Sequence, residues 1–310
     1  MHLLIPFASA LSERGTQALR ALKLPHLTQL LARLSPTRRF GSDEFSLSTP
    51  QELALAHALG WKGDDGIQPW AAHNAAKDGV AVGTQAWGQL TPVHWHVGND
   101  HVTLTDPQSL HLSAQESHTL FEAVKPLFES EGWAMAWGAP MRWYAAHDSL
   151  DRLPCASLDR VIGRNINLWL PATPQARQIR RLQNEVQMLL YQQPINDHRV
   201  GLGALPVNSF WLSGCGRAQP TPQPEGLVYA SGLRAAVLSS NWSAWAEAWQ
   251  AIDGKEVRQA LQQLQEGKPV TLTLCGDRFA QSFEAQPQGL WSRVGKRLAP
   301  PQIAPVLEVL

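Results

Sequence analysis

The sequence predicts an α/β protein with a mainly parallel central sheet and an inserted α+β subdomain. Three observations predict this class. Strand-like and helical segments alternate at both ends of the chain, two hairpin patterns flank an amphipathic helix in the middle, and no segment repeats. The expected boundaries are 1–89 for the first part of the core, 90–205 for the insert and the helix after it, and 206–310 for the second part of the core.

The apolar run "HLLIPFAS" predicts a buried first strand. "TQALRALKLPHLTQLLARL" has helical periodicity broken at Pro25, which predicts two helical pieces. "TPQELALAHALG" predicts a helix from Thr49, with Pro50 at its first position and Gly60 as its stop. "GIQPWAAHNAAKDG" predicts a short helix closed by Gly79. "TPVHWHVGNDHVTLTDP" alternates about a Gly-Asn-Asp turn, the pattern of a β-hairpin.

"SAQESHTLFEAVKPLFESEG" opens with a capping box, Ser113 with Glu116, and continues as an amphipathic helix. "WAMAWGAPMRWYAAH" predicts two strands about Gly138-Ala139-Pro140, and "TPQARQIRRLQNEVQMLLYQQ" predicts a helix. Beyond it, "PVNSFWLS", "LRAAVLSS" and "PVTLTLCGD" have strand character. Trp242 to Gln265 is expected to be helical, restarting at a second capping box, Asp253 with Glu256. In that helix Trp242, Trp245 and Trp249 share a face, which packs on the sheet or forms an interface. "RAQPTPQPEG" and "APPQIAP" are expected to be loops.

The 310 residues carry 26 Lys+Arg and 26 Asp+Glu. This balance favours neither nucleic acid nor an anionic membrane as a partner. Trp is over-used, its 13 residues exceeding Phe (8) and Tyr (3) together, and indoles of that number belong in cores and interfaces. Cys155, Cys215 and Cys275 are far apart and form no C-x-x-C, so neither a zinc knuckle nor a disulfide framework is expected. The opening "MHLLIPFASALSERG" lacks a basic residue ahead of its apolar run, and no window reaches the ~20 apolar residues of a membrane span. A reduced, cytoplasmic protein is expected.

Three stretches carry candidate chemistry. In "LPVNSFWLSGCGRAQP", Gly214 and Gly216 supply half of a dinucleotide fingerprint, but the prolines that follow oppose the helix N-terminus a phosphate requires. Cys215 is either a nucleophile or a small buried residue at a strand end. His94 and His96 fall on one strand face with His101 across the turn and Asp100 beside it. They form either a metal site or the wet face of a hairpin. Arg177, Arg180 and Arg181 form a basic helical run with a solvated face as its default reading.

"QQPINDHRVGLGALPVNSFWLSGCG" resembles a pattern of the archaeal-type, cofactor-independent phosphoglycerate mutases of the alkaline phosphatase superfamily. The matching residues are Pro194, Asn196, Arg199, Asn208, Trp211, Leu212, Gly214 and Gly216. "LPHLTQLLARL" and "STPQELALAHALGW" are similar to the superfamily's early helix and to its nucleophile-bearing helix, and the chain as a whole resembles bacterial RpfE-type regulatory proteins. The resemblance implies an alkaline-phosphatase-like core with an inserted substrate domain. Such enzymes hold two divalent metals in Asp and His ligands and use a Ser or Thr nucleophile.

Against that pattern the first strand here runs into Pro6, Phe7 and Ala8, with no carboxylate before Glu13. No histidine follows Arg199, and the only later aspartates are Asp253 and Asp277. "LCGDRF" is similar to an Asp-His ligand pair with Arg278 in the place of the His, and a guanidinium has no lone pair for a cation. Ser48 remains as a candidate hydroxyl.

The expectation is a non-catalytic, phosphoglycerate-mutase-like protein without a cofactor. It would bind a small anionic metabolite or a protein partner, with Asn196, Arg199, Asn208, Arg278 and Arg142 as ligand-binding candidates. The alternative is a metal-dependent mutase or phosphatase with a site rebuilt from His94, His96 and His101.

Overall fold

The computed structural model describes residues 1–222, 226–285 and 301–310. The chain divides into two compact units. Met1–Gly60 and Pro222–Leu310 make the first, and the continuous stretch Trp61–Thr221 makes the second.

The first unit begins with β1 (His2–Ile5), α1 (Glu13–Ala21), α2 (Pro25–Leu31), β2 (Ser35–Gly41) and α3 (Pro50–Ala58). Both faces of β1 are buried, which explains its unbroken apolar run. Pro25 opens α2 rather than interrupting a helix, since its missing N–H falls where the helix has no use for one.

The second unit holds α4 (Trp70–Lys77), β3 (Ala86–Val93), β4 (Trp95–Val97), β5 (Val102–Leu104), α5 (Ala114–Glu129), β6 (Ala134–Ala139) and β7 (Arg142–Ala146). It continues through α6 (Leu158–Val161), α7 (Arg177–Tyr191), α8 (Pro194–Gly201) and β8 (Ser209–Arg217). Its four-stranded antiparallel sheet runs β6-β7-β3-β8, and β4 pairs with β5 as a separate hairpin. The expected capping box is present: Ser113 Oγ accepts from Glu116 N–H at 3.2 Å and Glu116 Oε2 accepts from Ser113 N–H at 2.9 Å. The core joins Leu120, Phe121, Val124 and Phe128 of α5 to Trp143, Phe210 and Leu212 of the sheet and Leu182 and Val186 of α7. Ser117 Oγ accepts both Trp143 Nε1 (2.9 Å) and Trp137 Nε1 (3.1 Å), so neither indole N–H is left unpaired.

The chain completes the first unit with β9 (Leu227–Tyr229), α9 (Arg234–Leu238), α10 (Trp242–Ile252), α11 (Arg258–Gln265), β10 (Thr271–Cys275), β11 (Phe279–Glu284) and α12 (Ile303–Glu308). The sheet order is β2-β11-β10-β1-β9. β1 is parallel to β10 and to β9, whereas β11 and β2 are antiparallel to their neighbours. The sheet is therefore mixed, because the short Gly276-Asp277-Arg278 turn between β10 and β11 admits only an antiparallel return.

Three expectations change here. "LRAAVLSS" is the helix α9, where the Ala235-Ala236 pair favours helix over strand. Asp253 restarts no helix. α10 runs on through a π-turn at Asp253–Val257, and the buried Asp253 carboxylate caps α2 by accepting from His26 N–H (3.2 Å) and Leu27 N–H (2.7 Å). In the tail, Ile303–Glu308 is helical while residues 299–300 lie outside the described residues, as do 223–225 of the earlier expected loop. Trp245 and Trp249 pack into the core with Leu3, Ile5 and Leu272, so the tryptophan face of α10 lies on the sheet.

Candidate functional site

Most of the expected ligand-binding side chains in the second unit hold the protein itself. Arg199, only 3% exposed, donates Nε to Leu205 O (2.9 Å), Nη1 to Glu116 Oε1 (2.7 Å) and Nη2 to Leu110 O (2.5 Å). Burial works to raise the Glu116 carboxyl. Hydrogen bonds from Ser113 and Arg199 outweigh that and hold it below the usual range. Asn196 Nδ2 donates to Leu190 O and Val207 O at 2.8 Å each, while its Oδ1 accepts from Val207 N–H at 2.9 Å. Asn208 treats Trp95 as a neighbouring strand would, accepting from its N–H (2.7 Å) and donating to its carbonyl (3.0 Å).

Arg142 forms a fork on Asp78, Nε to Oδ2 at 2.8 Å and Nη2 to Oδ1 at 2.7 Å, and Tyr144 Oη adds a third bond at 2.6 Å. The Arg142 bond is the main cause that holds the Asp78 carboxyl below its usual range. These groups tie α4 to the β6–β7 hairpin. Gly138 gives them room, since a Cβ there would stand 2.5 Å from Asp78 Oδ2.

The glycine-flanked stretch is a β-bulge. Trp87 pairs with Gly216 and Gln89 with Ser213, so Gly214 and Cys215 together face Gly88. Gly214 has φ +65°, and a Cβ would lie 2.8 Å from Trp70 Cβ and 2.9 Å from Ala71 N. Cys215 is fully buried with its Sγ 3.5 Å from that of Cys155, and burial pushes its thiol well above the ordinary range. In that position the thiolate is disfavoured, and the thiol is closed off from solvent.

The histidines separate as well. His94 Nδ1 is engaged with Pro206 O at 2.9 Å, and His96 and His101 lie exposed on the β4–β5 hairpin. Among the described residues no group of three or more His, Cys, Asp or Glu is arranged to hold a metal ion.

In the first unit, Ser48 is 3% exposed, just ahead of the N-cap of α3. Beyond β1, Phe7 adopts φ +57°, its carbonyl accepts from Trp245 Nε1 (3.0 Å), and Ala8 N–H donates to Cys275 O (2.7 Å). Beyond β10, the N–H groups of Arg278 and Phe279 both donate to Leu310 O, at 3.0 and 2.6 Å. Gly276 permits this contact, since a Cβ would meet Leu310 Cβ at 2.6 Å. The Arg278 side chain is exposed. Arg278 and Ser48 thus fall in the first unit, apart in sequence from Arg142, Arg199, Asn196 and Asn208 in the second.

A cleft of about 780 Å³ opens between β2, β11 and α3, lined by His2, Arg38, His57, Thr271, Ser282 and Glu284 among others. At its floor His2 Nε2 lies 2.8 Å from Thr273 Oγ1, which lies 2.8 Å from Ser282 Oγ, the cross-strand partner. Burial, then the amino-terminal ammonium, then His57 lower the pKa of His2, so its ring is neutral at pH 7. Sequence reasoning missed this cleft. The Thr-Leu-Thr alternation of β10 was the available signal, for it places Thr271 and Thr273 on one face.

No family model matches the chain, and no curated protein matches it. Among solved structures it is similar to the cofactor-independent phosphoglycerate mutase from Thermoplasma acidophilum DSM 1728, at 13% identity and a TM-score of 0.40 over 100% of this chain and 98% of that one. It is also similar to the PH0037 protein from Pyrococcus horikoshii, at 12% identity and a TM-score of 0.48 over 92% of this chain and 87% of that one. At scores below 0.5 neither likeness establishes a shared fold. No helix among the described residues is long and apolar enough to cross a membrane.

Proposed function

We propose that this chain is a non-catalytic binding protein with a regulatory role, one that takes up a small phosphorylated or carboxylated metabolite. One observation carries the reading. The carboxy ends of β1 and β10, where the resembled enzymes need carboxylate and imidazole ligands, offer Phe7 and Ala8 in main-chain hydrogen bonds and a turn, packed by Leu310, in which Asp277 is followed by Arg278 rather than an imidazole. Two-metal phosphoryl transfer requires cations held beside the nucleophile, and a buried serine without them is a weak one. The resemblance of residues 194–216 to phosphoglycerate mutases supports descent from such an enzyme, and the resemblance to RpfE-type proteins supports the regulatory role.

The test is a thermal-shift panel of phosphorylated and carboxylated metabolites on the full chain. A ligand present at 100 times its Kd stabilises by about 2.7 kcal/mol, which a melting curve resolves. Stabilisation by a member of the panel at millimolar concentration is expected. A flat response across the panel overturns the ligand and leaves a protein partner as the occupant.

A further inference from the structure

We propose that the cleft between β2, β11 and α3 binds a small oxyanion, the phosphate or carboxylate group of a metabolite, and that His2 takes up a proton as it binds. This gives the ligand reading above its site and rests on that reading.

The cleft has the donors an oxyanion needs. Among the described residues, the Arg38 guanidinium and the His57 imidazole have no hydrogen-bond or ion-pair partner, and both line it. His57 stands edge-on to Phe40, ring centroids 5.4 Å apart. A guanidinium presents a planar fork that matches an oxyanion's geometry.

The floor can supply one more donor and a positive charge by reversing direction. With His2 neutral, Ser282 Oγ–H donates to Thr273 Oγ1 and Thr273 Oγ1–H donates to His2 Nε2. With His2 protonated, Nε2–H donates to Thr273, Thr273 donates to Ser282, and the Ser282 hydroxyl proton turns toward the cleft that Ser282 lines. Thr273 is fully buried and Ser282 is 6% exposed, so the pair is held in this line by its surroundings. Protonation of His2 therefore breaks no hydrogen bond on the floor, and it adds both a charge and a hydroxyl donor facing the ligand.

The charges around His2 set the sign. Burial, the ammonium of Met1 just ahead of β1 and His57 on α3 oppose a proton on His2, and the same lining carries the opposite charges of Arg38 on β2 and Glu284 on β11. β10 contributes only the hydroxyls of Thr271 and Thr273. An anion placed among these groups offsets the positive ones and raises the affinity of His2 for its proton. Affinity then rises as pH falls through the range in which imidazole titrates. Glu284, the one carboxylate among the described residues of the lining, works against the anion.

The experiment is an imidazole NMR titration of the full chain with sodium sulfate at constant ionic strength, at about pH 6 and about pH 8, a range that brackets histidine titration. Sulfate keeps one charge state throughout, and His2→Asn and His57→Asn assign the resonances. The expected result is saturable movement of the His2 and His57 signals, with binding at least roughly threefold tighter at the lower pH. Arg38→Gln, at an exposed position, weakens binding roughly tenfold, and Glu284→Gln tightens it.

Movement that does not saturate, or saturable binding unchanged by Arg38→Gln, overturns the site. Thermal stabilisation by sulfate without movement of His2 or His57 also overturns it, while leaving an anion ligand elsewhere. A flat metabolite panel instead overturns the ligand reading itself. Parallel titrations with inorganic phosphate and with succinate distinguish a phosphate group from a carboxylate as the natural contact.

Discussion

Arg199→Gln separates a structural arginine from a ligand-binding one. In the folded chain the guanidinium is 3% exposed and serves two main-chain carbonyls, Leu205 O and Leu110 O, and one carboxylate, Glu116. Removing a charged donor costs about 1–2 kcal/mol at the buried Leu110 O and about 1 kcal/mol at the part-buried Leu205 O. Glu116 is 26% exposed, so water compensates its loss and it adds about 0.5 kcal/mol at most. The sum is roughly 3 kcal/mol, which for a unit of this size lowers the melting temperature by roughly 6–12 °C. Differential scanning calorimetry without added ligand reads this directly. A ligand-binding arginine has no folding partner to lose, so a melting temperature within about 2 °C of the unsubstituted chain would refute the structural assignment.

Three further outcomes follow from the same geometry. Asp78 has a folded-state pKa below its unfolded one, so its contribution is present above about pH 4 and is lost as pH falls through the folded value. Asp78→Asn should therefore destabilise at pH 7, with a deficit that shrinks below about pH 4, measured by urea unfolding across pH. Gly214→Ala places a methyl group 2.8 Å from Trp70 Cβ at φ +65°, and a loss of about 2 kcal/mol or more is expected in the same assay. Cys215 should resist a thiol reagent in the folded chain and react once urea exposes it. Rapid labelling under native conditions would contradict its burial.

The elements legible in the sequence are those whose cause is local. The hairpin β4–β5, the pair β6–β7, the capped helix α5 and the buried strand β1 each carry their signal within a short window. β2 and β11 do not. "SPTRRFG" is largely exposed and polar, and it is a strand because it pairs with β11 from the far end of the chain. α9 is not legible in the sequence because a short apolar run fits strand and helix alike, and the packing of Leu233 and Ala236 in the core decides between them.

Chemistry was legible only as residue type. Arg142 and Arg199 have the donors an anion wants, but Asp78 and Glu116, which occupy them, stand far off in sequence. That no carboxylate precedes Glu13 could be read directly, whereas the docking of Leu310 beside Gly276 required the fold. His2, Thr273 and Ser282 meet through strand register, which composition does not encode.

The most direct measurement is turnover of phosphoglycerate and of a simple phosphomonoester by the purified full chain supplied with Mn²⁺, Mg²⁺ or Zn²⁺. A protein whose β1 end offers Phe7 and Ala8, and whose β10 turn keeps Asp277 but has Arg278 in the place of an imidazole, should give no turnover above the metal ions alone. Metal-dependent turnover that Ser48→Ala abolishes would contradict the account.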